Sequence, residues 1–112
     1  MEPDLTTPKG VAERHPHEVV ILDVREPAEW DAGRVEGSIH VPLSRLMAGA
    51  MPDLDEDRPI VAVCTVGTRS QVAALLLQAR GYEAHNLEGG LERWVAEGLP
   101  LTTPAGEPGR VA

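Results

Sequence analysis

The chain has 112 residues, of which 42% are hydrophobic and 25% are charged, a composition typical of one soluble globular domain with one core. Its 18 acidic and 10 basic residues leave a net charge of −8 at pH 7, which argues against a broad footprint on a nucleic-acid backbone. No apolar stretch resembles a secretory signal or a membrane span, so we expect a cytoplasmic protein, most simply a monomer. The single cysteine excludes an internal disulfide, and the four histidines lack metal-ligand spacing, so neither a metal nor a cofactor is expected.

Short apolar runs alternate with helical patterns along the chain. The first helix is predicted from Thr7, a capping residue followed by Pro8, to about Arg14. Four strands are predicted in the ranges 18–24, 38–42, 59–64 and 83–87. Because strands interleaved with helices need crossover connections, the pattern predicts an α/β domain with a mainly parallel sheet flanked by helices.

Two further helices are predicted in the second half of the chain. One runs from Ser70 to Arg80, and apolar residues at helical spacing define its predicted buried face: Val72, Leu75, Leu76 and Ala79. The other follows the paired glycines Gly89 and Gly90, which we expect to form its tight entry. Its predicted buried face carries Leu91, Trp94 and Val95. The segment 102–112 is rich in proline and glycine and poor in apolar residues, so its composition predicts a flexible tail.

The only cysteine, Cys64, stands at the carboxyl end of the strand predicted to be central, where open parallel sheets collect ligand sites. Residues 65–69 then turn into a helix, whose unpaired amides and dipole favour an anion. Gly67 permits the positive φ that lets successive amides converge, and Arg69 adds a positive charge. The helix terminus and the arginine are expected to lower the thiol pKa by about one or two units. The plainer alternative is a packed core cysteine, but the residues that follow favour a nucleophile.

The sequence CTVGTRS, at positions 64–70, resembles the active-site loop of single-domain rhodanese-like sulfurtransferases, which has the pattern Cys-x-x-Gly-x-Arg-Ser. The blocks LDVREPAEWDAGRVEGSIHVPL (22–43) and LEGGLERWVAEGLP (87–100) are similar to the upstream and closing blocks of the same family. Arg34, where the family usually has histidine, and His40, where asparagine is common, are the departures. The resemblance covers roughly residues 18–101 and implies a single rhodanese-like domain over residues 1–101, with a central five-stranded, mainly parallel sheet.

The resemblance also implies that Cys64 takes a sulfane sulfur from a donor, carries it as a persulfide and passes it to an acceptor. Thiosulfate is the expected donor, and cyanide, a thiol or a sulfur-carrier protein the expected acceptor. The catalytic residues are then Cys64 and Arg69. We expect Arg69 to stabilise charge and bind the donor anion, or to order the loop through a salt bridge. The donor is expected to contact the rest of the loop: Thr65, Val66, Gly67, Thr68 and Ser70.

Two other functions stay open at the level of sequence. A cysteine-dependent phosphatase or arsenate reductase also holds an oxyanion between a strand and a helix, but tyrosine-phosphatase loops place five residues between cysteine and arginine, whereas this loop has four. A binding module without chemistry is the second alternative, although inactive relatives commonly lose the cysteine. Asp23, Arg25 and Glu29 are expected to form structural ion pairs or caps.

Overall fold

The structure is a computed structural model that describes residues 4–54 and 57–112. Its helices and strands alternate along the chain, as the sequence predicts. The helices are α1 (Pro8–Arg14), α2 (Pro27–Ala32), α3 (Leu43–Met47), α4 (Thr68–Ala79) and α5 (Gly90–Ala96). The strands are β1 (Val20–Asp23), β2 (Ile39–His40), β3 (Ile60–Val63) and β4 (Ala84–Asn86). None of the helices in the described ranges is both long enough and apolar enough to cross a membrane.

All four strands of the sheet run parallel, in the order β2-β1-β3-β4. The two central strands, β1 and β3, pair from Val20 with Ile60 to Asp23 with Val63, and all their residues are buried. This arrangement confirms the predicted parallel sheet and places Cys64 directly after a central strand. A strand buried on both faces is continuously apolar, which explains the run of residues 60–63.

The expectation of a fifth strand is wrong for the residues that the structure describes. Near the N-terminus, the segment before α1 contacts the backbone of the turn that follows β4. The Glu88 amide donates to the Thr6 carbonyl at 2.9 Å. Near the C-terminus, Thr102 makes isolated antiparallel bridges to Arg34 and Pro108. The N-terminal segment cannot extend into a strand because helix α1 begins two residues after Thr6. The C-terminal bridge is not extended into a ladder because Pro108 has no N–H to donate.

The sheet separates two hydrophobic clusters, one on each face. Val20 and Leu22 of β1 pack with residues of α3 and α4, whereas Ile21 packs with residues of α1 and α5, including Val11 and Trp94. Side chains of successive strand residues point to opposite faces, so one short strand supplies both clusters. Burial of each large apolar side chain contributes about 1.5–3 kcal/mol before conformational entropy is counted.

Helix α4 turns only part of the face that its apolar spacing predicts toward the core, since Leu76 packs against a core cluster but Ala79 is exposed. Val72 and Leu75 are 45% and 57% exposed, and the buried residues are Ser70, Ala73, Ala74 and Leu77. Apolar residues lie on several sides of this helix, so periodicity alone does not select the buried side. In α5, Leu91 and Trp94 are buried as predicted, but Val95 is 44% exposed.

The C-terminal segment 102–112 folds back onto the domain. The Arg110 amide donates to the Ala32 carbonyl at the end of α2 at 3.0 Å, and the Gly109 amide donates to the Leu101 carbonyl at 2.8 Å. Val111 packs against the cluster that contains Trp94. The composition of this segment predicts a flexible tail. It does not predict these contacts, because most of them are backbone hydrogen bonds that do not depend on the type of side chain.

Candidate active site

Cys64 lies between the end of β3 and the start of α4. Gly67 closes the turn in a left-handed conformation, with φ 101°, and α4 begins at Thr68, two residues before the start predicted from the sequence. A side chain at this φ would be strained, so glycine is the residue that fits. The early start matters because it directs the first amides of the helix back toward the cysteine sulfur.

Three hydrogen-bond donors converge on the Cys64 sulfur. The Gly67 amide lies 3.1 Å from Sγ, the Ser70 amide 3.4 Å and the Ser70 hydroxyl oxygen 3.2 Å. Cys64 itself is fully buried, and burial opposes ionisation of the thiol. The hydrogen bonds from Ser70 and Gly67, with a smaller effect of the Val66 amide, outweigh this cost and hold the pKa of Cys64 below its ordinary value. The expected direction of the shift is therefore supported, but its main sources are these donors.

Arg69 is bound to Glu29 of helix α2 rather than to the cysteine. Its two terminal nitrogens donate to the two carboxylate oxygens of Glu29 at 2.7 and 2.9 Å. The Thr65 hydroxyl donates to the same carboxylate at 2.9 Å. The Arg69 guanidinium holds the pKa of Glu29 at about 2, below its ordinary value. One carboxylate thus ties both ends of the loop to α2, which is the loop-ordering salt bridge considered for Arg69.

Helix α2 is itself held by aromatic contacts beside Glu29. The Trp30 ring stacks on His40 with centroids 4.6 Å apart and an interplanar angle of 8°. The Arg34 guanidinium lies over the Trp30 ring at 4.4 Å from the centroid. The two positions where the sequence departs from the family pattern therefore contact the same ring, and we expect this packing to fix the position of Glu29.

Behind the loop, helix α5 supports the backbone of Cys64 and Thr65. The Leu91 amide donates to the Cys64 carbonyl at 2.9 Å, and the Glu92 amide donates to the Thr65 carbonyl at 3.0 Å. A Cβ atom at Gly90 would lie 2.4 Å from the Thr65 carbonyl oxygen, so only glycine permits this approach. The paired glycines form the predicted tight entry into the last helix.

The predicted site residues occupy three different environments. Gly67 and Ser70 contact the sulfur directly, whereas the hydroxyl of Thr65 is bound to Glu29. Val66 is 49% exposed at the rim, and Thr68 is also exposed. Two further residues contact the loop in the structure. Glu29 is predicted from the sequence only as a structural residue, and Asn86 accepts a hydrogen bond from the Ser70 hydroxyl at 2.5 Å. Sequence reasoning missed Asn86 because no motif connects it with residue 70.

Asp23 and Arg25 form the structural ion pair that the sequence predicts. The Arg25 side chain donates to both carboxylate oxygens of Asp23, and both side chains are 0% exposed. A terminal nitrogen of Arg25 also donates to the Gly33 carbonyl at 2.6 Å. This pair closes the end of β1 without entering the cysteine loop. Among the described residues, no group of three or more His, Cys, Asp or Glu is placed to hold a metal ion.

Residues 7–97 match the family model of the rhodanese-like domain. The chain is 34% identical over 90 residues to a sulfurtransferase of Allochromatium vinosum, covering 80% of this chain and 83% of that one. It is 31% identical over 101 residues to thiosulfate sulfurtransferase GlpE of Pseudomonas aeruginosa, covering 89% and 90%. The protein therefore belongs to the rhodanese-like domain family, as its loop predicts.

Solved structures show the same fold. A rhodanese-related protein from Thermoplasma volcanium superimposes with a TM-score of 0.79 at 31% identity, covering 86% of this chain and 94% of that one. A Rhodopseudomonas palustris protein of unknown function, described as a possible tyrosine phosphatase, superimposes with a TM-score of 0.74 at 29% identity, covering 86% and 82%. The family contains sulfurtransferases, and its structural neighbours include a protein for which phosphatase activity has been suggested.

Proposed function

We propose that the protein is a sulfurtransferase in which Cys64 carries a sulfane sulfur as a persulfide. The observation that supports this most directly is the convergence of the Gly67 amide, the Ser70 amide and the Ser70 hydroxyl on one sulfur atom. These donors favour a thiolate before transfer. An anionic outer sulfur bound in the same loop would meet amides that are already oriented and need no rearrangement.

The first half-reaction loads the cysteine. The Cys64 thiolate attacks the outer sulfur of thiosulfate, an S–S bond forms to Sγ, and the donor's own S–S bond breaks. The electron pair of the broken bond leaves with sulfite. In the second half-reaction an acceptor such as cyanide attacks the outer sulfur, and the electron pair of the Sγ–S bond returns to Cys64 as thiolate. A cellular thiol or a sulfur-carrier protein would react by the same attack.

Arg69 takes part mainly by ordering the loop. Both of its terminal nitrogens donate to Glu29, and one also lies 3.1 Å from the Thr65 hydroxyl. Its charge also acts on the thiolate. Glu29 has the largest effect in raising the pKa of Arg69, the Cys64 thiolate raises it further, and this attraction is mutual. We also propose that Arg69 contacts the donor anion directly. Its terminal nitrogens would then donate hydrogen bonds both to Glu29 and to the donor.

A phosphatase is the second candidate, favoured by the fold of the R. palustris protein. Two features of the site weigh against it. The loop has four residues between Cys64 and Arg69, one fewer than tyrosine-phosphatase loops, and a shorter loop encloses a smaller anion centre that suits a sulfur atom better than a phosphoryl group. Glu29, the carboxylate bound to the loop, has a pKa of about 2, so at neutral pH it carries no proton to give to a leaving group.

We also propose that the protein acts in the cytoplasm, where a reducing compartment keeps its single thiol free, and that it acts as a monomer.

Formation of thiocyanate from thiosulfate and cyanide tests the proposed activity. The wild type is expected to turn over, and Cys64→Ser is expected to lose activity to the level of the uncatalysed reaction. Hydrolysis of p-nitrophenyl phosphate is measured on the same preparations. Hydrolysis that depends on Cys64, without thiocyanate formation, would replace the proposal with the phosphatase.

A further inference from the structure

The Ser70 hydroxyl lies between two acceptors. Its oxygen is 2.5 Å from Asn86 Oδ1 and 3.2 Å from Cys64 Sγ. A serine hydroxyl has one proton, so it can donate to only one of these atoms at a time. Ser70 is fully buried, and a buried hydroxyl keeps its proton in one of its local hydrogen bonds.

The amide of Asn86 is held in one orientation. Its nitrogen donates to the Gly67 carbonyl at 3.0 Å and to the Gln71 side-chain oxygen at 3.0 Å. Because the Gly67 carbonyl can only accept, the nitrogen must face it and the carbonyl oxygen must face Ser70. Asn86 also ends β4 and pairs with Ala62 in the sheet, so its backbone is fixed.

We propose that Asn86 is a positioning residue that competes with the Cys64 sulfur for the single proton of the Ser70 hydroxyl. The inference rests on the proposed role of Cys64 as the sulfur-carrying nucleophile. When Cys64 is a neutral thiol, Ser70 donates to Asn86 at the shorter distance. When the thiol proton leaves to solvent, the hydroxyl rotates toward the thiolate, and Asn86 Oδ1 loses its donor.

Ionisation of Cys64 therefore replaces one hydrogen bond with another instead of adding one. The Ser70 hydroxyl contributes to the lowered pKa of Cys64, after the opposing effect of burial. Asn86 reduces this contribution, because the thiolate must draw the proton away from an amide oxygen. Removing the Asn86 carbonyl should thus lower the pKa of Cys64 further.

The charged groups on the neighbouring elements would not account for a change in the Cys64 pKa when Asn86 is substituted. Arg69 on α4 is paired with Glu29 on α2, and Arg25 after β1 is paired with Asp23. His85 of β4 lies against Glu83, and Glu92 of α5 is exposed. Substitution of Asn86 changes none of these charges, so a pKa change in its variants reports on hydrogen bonds.

The test is a double-mutant cycle read by the pH dependence of Cys64 alkylation with iodoacetamide. Asn86→Ala is expected to lower the thiol pKa by about half to one unit, the equivalent of one hydrogen bond. In the Ser70→Ala background the same change is expected to leave the pKa where it was, because the shared proton is gone. Gln71→Ala is the matched control. It removes a partner of Asn86 but not its contact with Ser70, so the pKa should stay at the wild-type value.

An unchanged or higher pKa in Asn86→Ala, or an equal fall in both Ser70 backgrounds, would overturn the inference. If Asn86→Ala does not fold, Asn86→Val fills this half-buried strand position without any hydrogen-bond acceptor and carries the same expectations. Alkylation needs no sulfur donor, so the cycle is independent of the proposed activity. Sulfur uptake without the pKa fall refutes only the proton competition, and the pKa fall without sulfur uptake refutes only the proposed function.

Discussion

Replacing Glu29 with glutamine should weaken the domain in a way that depends on pH. The carboxylate accepts two hydrogen bonds from Arg69, one from the Thr65 hydroxyl and one from the Glu26 amide, at distances between 2.7 and 2.9 Å. Glutamine has a similar shape but no charge, and its nitrogen cannot accept from Arg69. The substitution therefore removes the ion pair that ties the cysteine loop to α2.

The size of the effect follows from the pKa of Glu29. A fall from 4.5 to about 2 corresponds to roughly 3 kcal/mol of folding free energy. The Glu29 and Arg69 side chains are 21% and 35% exposed, and screening by solvent reduces the expected contribution to about 1–2 kcal/mol. Because the folded-state pKa is depressed, this stabilisation is fully present above pH 4.5 and is lost as the pH falls toward 2.

Urea unfolding of the wild type and Glu29→Gln at several pH values measures this contribution. The variant should be about 1–2 kcal/mol less stable at pH 7, and the difference should shrink as the pH falls from 4.5 toward 2. Glu107→Gln makes the same charge change at an exposed position, and its curve should follow the wild type. A difference that stays constant below pH 4.5, or no difference at pH 7, would refute the assigned role of Glu29.

Three further outcomes are expected. The alkylation rate of wild-type Cys64 should show a thiol pKa below the ordinary value, because the loop donors outweigh burial; an ordinary pKa would contradict this balance. Gly90→Ala should cost about 2–3 kcal/mol in urea unfolding, since its Cβ would lie 2.4 Å from a loop carbonyl oxygen. Gly106→Ala, also at positive φ but with nothing within 4 Å, should cost clearly less, and equal losses would exclude the clash. Arg25→Met should destabilise by about 3–5 kcal/mol, because it leaves the Asp23 carboxylate buried without its partner; a loss below about 1 kcal/mol would contradict the buried pair.

Signals within a few residues of one another predict local structure well. Thr7 and Pro8 predict the start of α1, and the structure shows the Thr7 hydroxyl accepting a hydrogen bond from the Gly10 amide. The order of Cys64 and Gly67 before a helix predicts the loop and the downward shift of the thiol pKa. These features depend on backbone conformation and helix termini, which neighbouring residues determine.

Contacts between residues that are distant in the sequence could not be predicted from such local signals. Glu29 and Arg69 are 40 positions apart, and Ser70 and Asn86 are 16 apart; sheet order and register bring them together. The buried face of α4 has a related cause. Ser70 must face the cysteine, which turns Val72 and Leu75 to solvent although their spacing equally fits a buried face.

The central claim is that Cys64 carries sulfur, and the intact mass of the protein tests it most directly. Wild type and Cys64→Ser are exposed briefly to thiosulfate, to mercaptopyruvate and to a small persulfide, and cyanide is then added. The account predicts a gain of one sulfur atom on the wild type alone, removed by cyanide. No gain with any donor, on folded protein with a reduced cysteine, would contradict the account.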